Sequence, residues 1–575
     1  MDLEDRYQPA LEVGLRQAPV GEGGAREARA AREDLPVLVL IEGWSSFFPE
    51  RVAPWRASLA SALRAQLEGR VVAGYLATQR WAAPAGVALG QVPAARGAGL
   101  AGATLTDWCL PQADLERWLV AIFEVQSGAQ AGEYFVPLTI ALEDADEARY
   151  RRLLPAALAR VRQHASTGVL ADAAADEDFC RLVIETIGAG RELATHLGRV
   201  RCTPTSAFAE LRAVHPGELP LVPAGVQGTN TTVRIGDGFF LKIVRRVQPG
   251  NDAGIDVARY LTEVAHFPNS VPLAGFIEYQ RANDASSTLA LLQAFVSNQG
   301  DGWDYTVNHL VRFLEERVAQ PAAPAADAHG LYLALIHTLG TRTAQLHGVL
   351  AAAVDPALAP APITAADLDA WRRNASEAAS AALDRLGEFL AQLPAGTAAT
   401  AATVLARREA LLHSVAAVPT ELPGALRIRC HGNYHLRQVL LRRNDFIITD
   451  AGAPGQSVAA ERRRRCSPLA DVATMLRSFA YARRMALQQC SLISASERER
   501  WESQLDAWER ETRSAFLSGY DEPARASGLY ASLTEVVPLL RLFELEDACA
   551  DLQRELPGRP DWAAVPLRTL AALTA

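Results

Sequence analysis

The sequence predicts an α+β chain with its sheet-forming segments in the first half and a mostly helical second half. Short alternating apolar runs bounded by turn residues recur between residues 36 and 300. Alanine- and leucine-rich stretches with apolar residues three and four apart dominate after residue 303. The one conspicuous break in those helices, "IRCHGNYHLRQVLLRRNDFIITDAG" (428–452), reads as a loop, a short strand, a turn and a second strand. At 575 residues the chain exceeds what one hydrophobic core usually serves, so several domains or subdomains are expected.

Taken in order, residues 1–35 are rich in Gly, Glu, Ala and Arg without periodicity and predict a flexible tail. Residues 36–142 predict a small α+β unit: "LPVLVLIEGW", the helical "WRASLASALRAQLEGRVVAGYLA", and the strand-like runs "WLVAIFEVQ" (118–126) and "EYFVPLTIAL" (133–142). Residues 143–300 begin with helical segments and turn into β structure. There "TTVRI" (231–235) and "FFLKIV" (239–244) flank Gly236-Asp237-Gly238, a hairpin signal. Strand alternation puts Phe240, Lys242 and Val244 on one face and Phe239, Leu241 and Ile243 on the other. The apolar "STLALLQAFV" (287–296) then ends in the polar "SNQGDGWD". Residues 301–575 are helical, with Tyr332, Leu335, Ile336, Leu339, Leu346 and Leu350 on one stripe, and Ala/Pro-rich loops near 320–328 and 355–363.

Composition excludes some functions. A net charge of −9 argues against nucleic acid as a partner, because phosphate recognition usually needs a basic face. The arginine run 462–465 reads as a solvated face or helix start. The seven cysteines are odd in number, scattered and without a C-x-x-C pair, so reduced cytosolic thiols and no zinc site are expected. The N-terminus opens with acids where a signal peptide carries a basic segment and an apolar run, and "PVLVLI" is too short to cross a bilayer. A cytoplasmic protein without a membrane partner is expected.

Lys242 is the only lysine among 57 basic residues. A general preference for arginine reads as coding bias, and a lysine that survives it points to a requirement. An ammonium is a compact point charge that can bridge phosphate oxygens and an acidic helix, a geometry the wider guanidinium fits poorly. Its acidic partner would be Asp256 or Glu263 in "NDAGIDVARYLTEVAHF". Upstream, "VQGTNTTV" (226–233) is either a plain β-turn or a small hydroxyl-rich turn, with Thr229, Asn230 and Thr231, whose N–H groups cover nucleotide phosphates. Gln293 and Phe295 fall where the apolar strand meets the polar hinge, an expected adenine contact. A β-rich lobe with one inward lysine, a hinge, and a helical lobe interrupted by a loop and hairpin is the order of parts in a kinase-type phosphotransferase.

The segment "HGNYHLRQ" (431–438) resembles the catalytic loop of aminoglycoside phosphotransferase-like kinases, which reads H-G-D-x-H-x-x-N/Q. The resemblance implies a bilobal protein-kinase-like fold, with an N-terminal α+β cap subdomain and a mostly helical C-lobe. It puts Asn433 at the base position, His431 and His435 as loop-shaping groups, and Gln438 and Asp450 as magnesium ligands. "LALLQAFVSNQGDGWDY", "LGTRTAQLH", "HGNYHLRQVLL" and "SPLADVATMLRSFAYA" look like signatures of maltokinases, and "YLATQRW" and "GEYFVPL" resemble that family's cap. The resemblance implies ATP and Mg2+ as cofactors and maltose as the acceptor, giving maltose 1-phosphate for α-glucan synthesis. It also implies trehalose synthase as a partner, because "LPVLVLIEGW" looks like the junction of trehalose synthase fusions. Asp471, Arg477 and Tyr481 would recognise sugar hydroxyls, or Asp471 and Arg477 would brace the loop as an ion pair.

The chain departs from the family at its chemical centre. Asn433 stands where the family has aspartate, and "AGAPG" (451–455), with Gly452, replaces a stretch carrying two glutamates. Arg437 replaces a glycine and Ala294 a hinge glutamate. Two functional expectations follow: an impaired maltokinase-like enzyme, or a pseudokinase that binds nucleotide or sugar as a regulator of trehalose synthase.

Overall fold

The computed structural model describes residues 35–82, 100–111, 117–127, 130–217, 220–227, 230–250, 253–282, 285–320, 328–452, 465–493 and 498–573. The expected tail up to residue 34, the phosphate-turn residue Thr229, and arginines 462–464 lie outside them. The described residues fall into two compact units: one drawn from 1–84, 90–251 and 273–295, the other from 85–89, 252–272 and 296–575.

The first unit contains two sheets. In one, the strand order is 37–40, 157–163, 166–172, 138–142, 118–127, 130–135 and 246–247, with 100–109 also paired to 118–127. The sheet therefore runs across residue 142, where the sequence placed a subdomain boundary. The run 133–142 is not one strand: it divides into Gln130–Phe135 and Leu138–Leu142 around Pro137, which has no N–H for a ladder. Residues 157–172 fall early in the 143–300 stretch, which was expected to begin with helical segments, and form a hairpin, with Gln163 opposite Ser166. His164 turns it at φ 55°, and pairing with both neighbouring strands overrides the helix propensity.

The second sheet runs 221–227, 230–235, 239–244, 287–294, 273–281, 198–204 and 192–194. Its central hairpin follows the sequence pattern: Ile235 pairs with Phe239 and Thr232 with Lys242 across the Gly236–Gly238 turn. Phe239, Leu241 and Ile243 are buried in a core with Ile235, Leu289 and Leu292. Each such side chain contributes about 1.5–3 kcal/mol by leaving water. The cap motifs meet at Arg245, which is 1% exposed and donates to Asp172 at 2.6 Å and to Thr231 Oγ1 at 2.8 Å. Tyr75 donates to the same Asp172 carboxylate at 2.8 Å, and the Trp81 ring lies 4.9 Å from the guanidinium.

The second unit is built of helices, among them Gly302–Ala319, Gly330–Ala351, Ala365–Phe389, Leu469–Gln489, Arg498–Ala526 and Leu533–Gly558. Tyr332, Ile336, Leu339, Leu346 and Leu350 of the expected stripe are buried, and Leu335 is half-buried. Gly340 and Gly519 set one crossing. A Cβ on Gly340 would lie 2.1 Å from the Phe516 carbonyl, and one on Gly519 2.0 Å from that of His337, so the two helices touch backbone to backbone. Among the described residues no helix is long and apolar enough to cross a membrane.

Candidate active site

The interruption at 428–452 folds as a loop, a short 3-10 turn at Leu436–Gln438, and a hairpin of Val439–Arg442 with Asp445–Ile448. Arg442 pairs with Asp445, and the turn residues Arg443 and Asn444 both have positive φ, 49° and 61°, as a tight two-residue hairpin requires. Both edges of the hairpin are occupied. Leu441 exchanges backbone hydrogen bonds with Gln299 and Gly300, and Ile448 with Asn269 and Val271. Arg342 adds a two-point ion pair to Asp445, both distances 2.8 Å, so the hairpin is held by sheet, helix and charge.

The loop before the hairpin is organised by Asp471, in the first turn of Leu469–Gln489. Its carboxylate accepts from the backbone N–H groups of His431 (2.7 Å) and Gly432 (2.9 Å), and from His347 Nε2 (3.1 Å), whose Nδ1 meets the Tyr520 hydroxyl. Burial alone would raise the Asp471 pKa, but the His347 hydrogen bond, the nearby histidines and the Gly432 N–H hold it low, so the charge persists. His431 is fully buried, and burial pushes its pKa down so that the ring is neutral. Asn433 N–H donates to His431 Nδ1 at 3.4 Å, which leaves the hydrogen on Nε2 to be donated to the Thr449 carbonyl at 2.8 Å. His435 is pushed down to about 4, by burial first and then by His431. The buried Tyr434 hydroxyl bonds Thr343 at 2.8 Å.

Asn433, Gln438 and Asp450 are therefore brought into one braced segment. Thr449 ties the last two: its N–H donates to the Gln438 carbonyl at 2.9 Å and its hydroxyl to Gln438 Oε1 at 3.0 Å, directly before Asp450 at φ 54°. The donor set suits magnesium, which takes hard oxygen ligands and is commonly held by one or two carboxylates plus phosphates and water. Here one carboxylate, Asp450, and one amide oxygen, Gln438 Oε1, would supply the protein share. Among the described residues no group of three or more His, Cys, Asp or Glu side chains could hold a metal.

The other predicted residues divide. Arg477 and Tyr481 share neither Asp471's direction nor its partners. Arg477 pairs with Asp551 of Leu533–Gly558 (Nη2 to Oδ1, 2.7 Å), and Tyr481 donates to Glu555 at 3.2 Å. The expected Asp471–Arg477 ion pair does not form, because six residues of helix turn the two side chains to different neighbours. Arg477 and Tyr481 instead line a shallow polar cleft with Glu509, Glu544 and Asp547, the last pushed up to about 6 chiefly by burial. Arg437, the expected intruder, lies over Trp303 at 4.9 Å, and its Nη1 is 3.5 Å from Asp301, the N-cap of Gly302–Ala319.

In the first unit Lys242 is 8% exposed, between Thr232 and Leu291 on the neighbouring strands. Asn230 pairs with Val244, and the Thr231 hydroxyl accepts from Arg245. Gln293 is buried opposite Phe240, and Phe295 N–H donates to the Gly238 carbonyl with its ring 4.1 Å from the Arg234 guanidinium. Asp256 and Glu263 belong to the second unit, in Ala253–Arg259 and Tyr260–Val264, where Glu263 pairs with Arg259.

Two features went unread in the sequence. His347, within the quoted "LGTRTAQLH", holds Asp471, while Arg342 and Thr343 of the same helix hold the hairpin and Tyr434. The expectation of seven reduced thiols is corrected by a Cys430–Cys466 disulfide, with Cα atoms 6.2 Å apart. The strand-like bridge between Ile428 and Cys466 brings the pair together across 36 residues.

Sheets and helices in this arrangement form a mixed, kinase-like fold. It matches a solved glucosamine kinase in complex with glucosamine, ADP and inorganic phosphate, with TM-score 0.55 and 19% identity over 84% of this chain and 96% of that one. A second glucosamine kinase structure matches with TM-score 0.54 and 20% identity over 87% and 97%. In sequence the chain is 27% identical to glucosamine kinase of Mycolicibacterium smegmatis over 361 residues, 62% of this chain and 79% of the relative. It is 25% identical to that of Streptacidiphilus jiangxiensis over 349 residues, 58% and 69% of the two chains. No family model matches.

Proposed function

We propose that this protein is an ATP-dependent sugar phosphotransferase acting on a hexose of the glucosamine class, at a rate held down by Asn433. The observation that carries the reading is the similarity to glucosamine kinases across 62% of the chain, together with a braced loop bearing Asn433, Gln438 and Asp450. Maltose, the acceptor implied by the sequence motifs, is the competing substrate.

In this reading Lys242 would be the cation for the ATP phosphates, and Gln438 and Asp450 would hold magnesium. When bound, the ion neutralises charge on the phosphates. Asp471 and His347 fix the loop backbone, and neutral His431 fixes its second turn through Thr449. The Asn433 amide oxygen accepts a hydrogen bond from the acceptor hydroxyl and orients it but cannot take its proton. The proton leaves to solvent or to a phosphoryl oxygen as the new P–O bond forms, which a loose transition state tolerates. Loss of a general base lowers the rate by about 10²–10⁴-fold.

A second reading is a nucleotide- or sugar-binding pseudokinase, including a partner of trehalose synthase. It is favoured by Asn433 and by the cation Arg437 next to the loop. Coupled ADP release with glucosamine, glucose and maltose separates the readings. The first expects sugar-dependent release that is greatest with glucosamine. Nucleotide binding without any sugar-dependent release supports the second, and faster release with maltose overturns the acceptor assignment.

A further inference from the structure

The Cys430–Cys466 pair stands at both ends of the candidate active-site segment. Cys430 immediately precedes His431, and Cys466 is five residues before Asp471, whose carboxylate holds the His431 and Gly432 N–H groups. Between them lie Asn433, Gln438, the hairpin and Asp450. The backbone already joins the two ends: Ile428 N–H donates to the Cys466 carbonyl at 2.9 Å, and Cys466 N–H returns the bond at 2.8 Å. Arg465, next to Cys466, donates to the Pro356 carbonyl at 2.7 Å. The Cα separation of 6.2 Å is within the range that disulfides span.

The remaining five cysteines are buried free thiols. Burial pushes Cys109, Cys202 and Cys549 up to about 12 and raises Cys180 as well, so these four are poor nucleophiles. Cys430 is buried at 8% exposed and Cys466 is half-buried, so Cys466 is the member of the pair that a small thiol meets first.

We propose that Cys430 and Cys466 form a reversible thiol–disulfide switch that sets the rigidity of the loop carrying Asn433 and Asp450. Oxidation requires a small-molecule disulfide. One cysteine thiolate attacks it, forming a mixed disulfide and releasing one small thiol. The second cysteine thiolate then displaces the other small thiol, closing the Cys430–Cys466 bond. The two cysteines lose two electrons and two protons, and the small disulfide gains them as two thiols. Closed, the bond ties the loop's first residue to the approach of the Asp471 helix turn. Open, the loop's first residue is held to that turn by the Ile428–Cys466 backbone bridge and the Asp471 hydrogen bonds, without a covalent tie.

The test uses the full chain, treated either with oxidised glutathione or with a mild thiol reductant, then alkylated in the native state and mapped by mass spectrometry. The expected result is that Cys430 and Cys466 resist alkylation after oxidation and both label after reduction. Amide hydrogen exchange across 431–452 is expected to rise several-fold on reduction, with a Tm fall of ~3 °C or more. Cys466→Ser and, independently, Cys430→Ser should show the faster exchange without responding to reductant. Alkylation of both residues in oxidised protein overturns the proposal, as does unchanged exchange in 431–452 once the bond is reduced. These readouts do not depend on turnover, so failure of the kinase reading leaves them intact.

Discussion

Asp471 holds His431 by the backbone: its carboxylate accepts the His431 N–H at 2.7 Å while also taking that of Gly432, so the first turn of the Leu469–Gln489 helix and the candidate loop are one hydrogen-bonded piece. The sequence marked Asp471 as a sugar contact or an ion-pair brace. At 2% exposure, with His347 on the same oxygen as His431, its bonds go to the loop rather than to Arg477.

Asp471→Ala leaves two buried backbone donors and His347 without an acceptor. The loss should be about 3 kcal/mol or more of stability, against about half that for Asp471→Asn, which keeps one carbonyl. Urea midpoints for the two variants check the order, and a midpoint for Asp471→Ala equal to wild type contradicts it.

Stability should also fall in mild acid, for a reason away from the site. His309 bonds His329 at 3.0 Å and stacks on Tyr332, and burial followed by the His329 charge pushes its pKa down to about 4. The folded value lies below the unfolded one of about 6.5, so the unfolded chain takes up the proton first as pH falls. The contribution is complete above about pH 6.5 and is lost between there and about 4. His309→Gln should lose less Tm than wild type between pH 7.5 and 5; equal losses contradict the assignment.

Arg437 sits over Trp303 and beside Asp301, half-exposed, so its ion pair adds little to stability. Arg437→Gly should shift stability by less than about 1 kcal/mol. By releasing Asp301 and Asp304 it should lower KM for cationic glucosamine several-fold while leaving glucose unchanged. Steady-state kinetics with both sugars decide this, and parallel changes would show a general loop effect instead.

Lys242→Met keeps the volume and apolar stem of a side chain only 8% exposed, so folding should persist. Loss of one charge-assisted phosphate contact corresponds to roughly 10–100-fold weaker ATP binding. Lys242→Arg should fail to restore it, because the planar fork replaces a point charge. Calorimetry with ATP reads both, and wild-type affinity in Lys242→Met removes the lysine from the nucleotide account.

Legibility in the sequence followed the range of the interactions. The hairpin around Gly236–Gly238 and the two strands of 439–448 were readable because alternation and turn chemistry are local. The 157–172 hairpin was hidden, because its Ala-, Leu- and Arg-rich strands carry helix propensity and only neighbours distant in sequence make them a sheet. The loop motif marked Asn433, Gln438 and Asp450 locally, but carried no sign that Asp471 faces the loop while Arg477, six residues on, faces Asp551. Cysteine spacing carried no trace of the Cys430–Cys466 pair, which depends on a backbone bridge between segments 38 residues apart.

The proposed function turns on Asn433 standing where a general base would act in the candidate loop. The direct measurement is glucosamine-dependent ADP release by wild type and Asn433→Asp at matched ATP saturation. The restored carboxylate is predicted to raise kcat by about 10²–10⁴-fold with ATP affinity little changed. An Asn433→Asp protein that binds ATP yet releases ADP no faster than wild type would contradict it.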